Sequence, residues 1–72
     1  MNRYQELANA VIVRACRDYR RALKNLKKFP DDKELQFSCA EIEEFFHSTL
    51  YETMTSLEGD LLIAKIREEV GV

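Results

Sequence analysis

The stretch RYQELANAVIVRACRDYRRALKNLKK, Arg3 to Lys28, decides the fold. Its apolar residues Tyr4, Ala8, Val11, Ala15, Tyr19, Ala22 and Leu26 recur in steps of four and three, and Ile12, Cys16 and Leu23 widen the stripe. That is the period of an amphipathic helix, not the alternation of a strand. Neither Gly nor Pro interrupts the run. At about 100° per residue, Arg14, Arg17, Arg21, Lys24 and Lys28 form a second stripe on the opposite side. The bases gather in the later turns, where the negative end of the helix dipole favours them. Phe29-Pro30-Asp31-Asp32 ends the helix, because Pro30 has no N–H to continue the ladder and biases Phe29 away from helical geometry.

Downstream the same period returns in shorter pieces. A second helix is expected from Asp31 or Asp32, either of which can cap it, with Leu35, Cys39, Ile42 and Phe46 as its seam and Phe45 beside it. Glu34, Glu41 and Glu44 fall on its other side. Ser38 and Glu41 also have capping-box spacing, which would start the helix at Cys39, but the earlier start is preferred. A turn is expected at His47-Ser48. Ser48 or Thr49 can cap a short third helix carrying Leu50, Tyr51 and Met54, with Leu57 close behind. Glu58-Gly59-Asp60 reads as a break in which Gly59 permits a left-handed backbone and Asp60 caps the next helix. That last helix carries Leu62, Ile63, Ile66 and Val70, with Lys65, Arg67, Glu68 and Glu69 facing water. Stripes of this kind are buried most simply in an all-α fold, a small three- to four-helix bundle with a long N-terminal helix. The 72 residues form a single helical domain, residues 1–72.

Charge is unevenly distributed. From Met1 to Pro30 eight bases meet two acids, a balance of +6; from Asp31 to Val72 three bases meet eleven acids, a balance of −8, for a net −2. No segment approaches the roughly 20 apolar residues of a membrane span. The opening Met1-Asn2-Arg3-Tyr4-Gln5-Glu6 lacks a signal-peptide layout, so the expected location is the cytoplasm, away from membranes. Two cysteines, Cys16 and Cys39, are too few for a disulfide scaffold and read as buried free thiols.

From about Ala8 to Val70 the chain resembles a group of short proteins encoded by phages and prophages of Gram-positive bacteria. The resemblance rests on Asp18-Tyr19-Arg20-Arg21-Ala22-Leu23-Lys24, on Phe45-Phe46-His47-Ser48 and on Leu57-Glu58-Gly59-Asp60-Leu61-Leu62-Ile63. It implies a viral origin and a bacterial host cell. It implies no activity and no site residues. Many small phage proteins block or redirect host machinery, and such a role follows by association alone.

Chemistry finds little footing in these residues. His47 is the single histidine, no nucleophile sits in a recognisable activating context, and two glycines cannot build a phosphate loop. Glu44-Phe45-Phe46-His47 has the Glu-x-x-His spacing of di-iron bundles, but a site needs a second copy of the motif and further carboxylates. The plainer reading is a solvated Glu44 and a histidine favoured near a helix end. No enzyme activity, cofactor or metal is expected. The basic stripe could neutralise phosphates, although no aromatic interrupts it to stack on bases and the acidic half opposes a polyanion. Its plainer reading is a solvated face, partly paired with acids of the second helix or of another subunit. The crowding of Phe45, Phe46, Tyr51, Met54 and Leu57 points to an interface core, since a bundle this small need not bury them all; the plainer reading is core packing, for Phe46 more than for Phe45, because adjacent helical residues point about 100° apart.

The expected function is therefore a non-enzymatic, phage-type binding protein. It acts through protein–protein contacts, as a dimer or larger homo-oligomer, with host machinery or a defence component as partner. Phe45, Tyr51 and Met54 are the expected apolar contacts; Arg14, Arg17, Arg21 and Lys24 are the electrostatic ones. The alternative is a small nucleic-acid-binding accessory protein that uses the basic face of the first helix.

Overall fold

The computed structural model describes residues 2–72. They form four helices: α1 (Arg3–Lys28), α2 (Lys33–Phe46), α3 (Thr49–Met54) and α4 (Gly59–Val70), with no strand among the described residues. Most boundaries have a local cause. The Asn2 side chain accepts from the Gln5 N–H at 2.7 Å and opens α1. The helix closes at Phe29, just before Pro30. Asp32 accepts from the Leu35 N–H at 3.1 Å and opens α2, so the later start at Cys39 is not used. Ser48 Oγ accepts from the Tyr51 N–H at 3.1 Å and donates to the Phe45 carbonyl at 2.6 Å, capping α3 and tying it to the end of α2 at once. Gly71, at φ +87°, closes α4 in the left-handed conformation open to glycine.

The helices lie along α1. Tyr19 meets Phe46 near the end of α2, so α2 runs back along α1. Arg67 reaches Tyr19 and Val70 reaches Lys27, so α4 runs forward along it. The core joins Ile12, Tyr19, Ala22 and Leu23 of α1 to Cys39 and Phe46 of α2, Tyr51 of α3, and Ile66 and Val70 of α4. Phe46 is its hub. The Tyr19 ring meets it edge-on at 6.0 Å and the Tyr51 ring at 5.6 Å, the geometry that aromatic quadrupoles favour.

Several expectations are corrected. The buried seam of α1 is rotated from the expected one: Ile12 and Leu23 are core residues, whereas Tyr4 and Val11 are exposed. Gly59 is not a left-handed break but the first residue of α4, and Gly71 is the one glycine at positive φ. Gly59 is there for space, since a Cβ would overlap the Phe46 carbonyl oxygen and come within 2.9 Å of its carbon. Asp60 does not cap α4; Glu58 holds the cap position without a side-chain bond, and Asp60 pairs with His47 instead. Arg67 and Glu69 do not simply face water, because both tie α4 to its neighbours.

Candidate interaction surfaces

The outer face of α1 is built by spacing alone. Arg14, Arg17, Arg21 and Lys24 are all exposed and share one face with Lys28. None of the five has an ion-pair partner within 4.0 Å among the described residues. Two other bases of α1 behave differently, because they stand at the edge next to α4. Arg20 Nε holds Glu69 at 2.8 Å, and Lys27 Nζ donates to the Val70 carbonyl at 2.9 Å. An open recess along the row is walled by Arg17, Arg21, Lys24 and Lys28.

A second surface follows from unequal helix lengths. At 1.5 Å per residue, α1 extends about 39 Å, against about 21 Å for α2 and about 18 Å for α4. Both shorter helices lie along the later turns of α1. The remaining neighbour of α1 is the six-residue α3. Tyr4, Leu7 and Val11 are consequently 57%, 62% and 44% exposed. Their spacing of three and four places them in one stripe, about 90° around the helix from the core and from the basic row. Other apolar side chains stand open singly or in pairs: Phe37 beside the acids of α2, and Leu57 with Leu61 over a mostly apolar groove that also touches Leu62.

The expected contact residues divide accordingly. Phe45, Tyr51 and Met54 come together, but inward. Tyr51 is 1% exposed, with its ring 5.7 Å from that of Phe45, and the half-buried Phe45 and Met54 pack against the core. Their crowding in sequence is the mark of the aromatic hub. The exposed apolar stripe is Tyr4–Leu7–Val11, two of whose members the sequence placed in the seam. The available signal was length: no later helix is long enough to cover all of α1.

A polar clamp also escaped the sequence reading. Tyr19 Oη donates to Glu43 Oε2 at 2.7 Å, and Arg67 Nη1 stands 3.7 Å from that oxygen and 3.5 Å from the hydroxyl. Three helices meet there. Burial, and next the bond to Glu43, pushes the Tyr19 hydroxyl up to about 12. Burial also raises the thiols of buried Cys39 and half-buried Cys16 above their ordinary range. Both stay protonated and weakly nucleophilic near neutral pH. His47 Nε2 pairs with Asp60 and joins the end of α2 to the start of α4, while Glu44 remains exposed. Among the described residues no three His, Cys, Asp or Glu side chains gather where they could hold a metal ion. No described helix is long and apolar enough to cross a membrane.

Fold and surfaces together define a small helical bundle with one strongly basic outer face and one uncovered apolar stripe. No protein-family model, curated protein or solved structure matches this chain.

Proposed function

We propose that this chain is a non-enzymatic binding protein that works through protein–protein contacts, beginning with contacts to another copy of itself. The observation that carries the reading is the stripe Tyr4–Leu7–Val11, exposed on turns that neither α2 nor α4 reaches. Uncovered apolar side chains in register on a rigid helix are the usual raw material of a helix-to-helix interface. A chain of 72 residues has a small core, and association adds buried surface that folding alone does not supply. The resemblance of the Tyr19, Phe45–Ser48 and Leu57–Ile63 segments to phage and prophage proteins supports a bacterial cytoplasm as the setting. It also supports host machinery or a defence component as the further partner.

Sedimentation of the purified protein tests the self-contact. The mean mass is expected to rise above that of one chain as concentration increases into the high micromolar range. Leu7→Glu is expected to return it to a monomer with unchanged helicity. A strict monomer throughout, together with nuclease-treated bacterial lysate that yields no captured protein, overturns the reading.

A further inference from the structure

The row on the outer face of α1 carries charge that the protein does not use on itself. Arg14, Arg17, Arg21, Lys24 and Lys28 follow one another at intervals of three and four residues. Neighbours are therefore about 4.5–6 Å apart along the axis and the whole row is about 21 Å long. All five fall within a sector of about 80°, centred opposite the buried side of the helix. Two acids of the neighbouring helices are engaged elsewhere. Glu69 is taken by Arg20 and Glu43 by Tyr19 and Arg67. Glu34 and Glu44 project from the side of α2 away from its Cys39–Phe46 seam, whereas Glu41 borders a recess shared with Asp18 and Arg21 without pairing within 4.0 Å among the described residues. Of the two acids on α1, Glu6 shares the row's face two turns before Arg14, and Asp18 stands at the row's edge, four residues from Arg14 and three from Arg21. Both border a recess with these arginines, and neither pairs with them within 4.0 Å among the described residues.

We infer that this face docks onto the phosphate backbone of double-stranded nucleic acid without regard to base sequence. Three features select that partner. First, a duplex presents one charge per about 1.7 Å of axis, so a row of about 21 Å faces about six phosphates on each strand, close to its own five bases. Three of the five are arginines, whose forked guanidinium takes two phosphate oxygens at once. Second, no aromatic stands in the row, which removes the stacking platform that single-strand binders need. Third, the row has no large apolar anchor at its centre such as the core of a protein interface carries; the nearest, Val13, sits at its edge. The row thus offers charge in register and little else, which is the chemistry of backbone contact. The acidic balance of the rest of the chain keeps the contact weak at physiological salt, and the five phosphate contacts make it steeply dependent on ions.

Fluorescence anisotropy of the intact protein with a labelled mixed-sequence DNA duplex tests this. Five neutralised phosphates give a log–log salt slope near −4.5, so affinity falls about 500-fold between about 50 and about 200 mM salt. The double variant Arg17→Ala/Arg21→Ala is expected to flatten the slope by about 1.8 and to weaken low-salt binding at least about tenfold, with helicity by circular dichroism intact. A duplex of different sequence is expected to bind equally. Leu7→Glu is expected to leave the slope per chain unchanged, which separates this outcome from self-association. Any one of four results overturns the inference: no binding at low salt, a slope flatter than about −2, a double variant that binds like the parent, or preference for single strands or polyglutamate over the duplex.

Discussion

The two halves of α1 share one period and have opposite fates. The second half, from Ala15 onward, buries Tyr19, Ala22 and Leu23, and is flanked by α2 on one side and α4 on the other. The first half gives only Ala8 and Ile12 to the interior and leaves Tyr4, Leu7, Val11 and Val13 in solvent. Helical amphipathicity describes what a helix offers, and the lengths of its neighbours decide how much of the offer is taken. Stability should therefore reside in the second half and what packs on it, whereas substitutions in the first half should be felt in association.

That division can be broken most forcefully at the hub. Phe46→Ala removes a ring buried against Tyr19 and Tyr51, at a cost of about 3–5 kcal/mol. A single core of this size supplies about as much in total, so loss of the cooperative thermal transition in circular dichroism is expected. A fully cooperative melt would move the centre of stability elsewhere. Gly59→Ala comes next. Its new methyl meets the Phe46 backbone, which cannot swing aside as a side chain would, and a loss of about 1–3 kcal/mol in urea denaturation is expected.

Tyr19→Phe sharpens the picture at the clamp. Loss of the bond to Glu43 is expected to cost about 1 kcal/mol near neutral pH. The pH dependence has a definite sign. Tyr19 titrates higher in the folded protein, near 12, than a free tyrosine near 10, so its contribution is complete below about pH 10 and is lost as pH rises toward 12. Urea midpoints should fall over that window in the parent and fall less in Tyr19→Phe; the remainder comes from Tyr51 and from the Cys16 and Cys39 thiols, all of which burial also raises. A midpoint flat with pH in the parent would show that the hydroxyl is not held as described. The smallest effect belongs to the first half of α1. Leu7→Ala should shift the urea midpoint by the equivalent of no more than about 0.5 kcal/mol, and a loss above about 1 kcal/mol would make these turns part of the folding core.

The reasons some features were legible in the sequence and others were not are physical. Three-and-four spacing, Pro30, Asp32 and Ser48 act within a turn of where they stand, so the four helices and most of their boundaries could be read directly. The basic row could be read for the same reason, since charge and spacing on one helix need no neighbour. Which apolar residues stay open could not, because Val11 is exposed by the shortness of α2 and α4, not by anything near it in sequence. Gly59 offered a choice between backbone freedom and close approach that only the position of Phe46 resolves. Glu43 had a faint signal: it follows Cys39 by four and precedes Phe46 by three, which places it on the seam's flank beneath Tyr19.

The short links between the helices bear on how the chain reaches its structure. Two residues join α2 to α3, and four join α1 to α2 and α3 to α4. Little chain must be looped before successive helices touch, so the search for the right arrangement is brief. Refolding belongs in the microsecond-to-millisecond range of small helical proteins, at the edge of mixing methods and within reach of temperature-jump relaxation. A chain that folds so quickly leaves its apolar surface unprotected only fleetingly after synthesis.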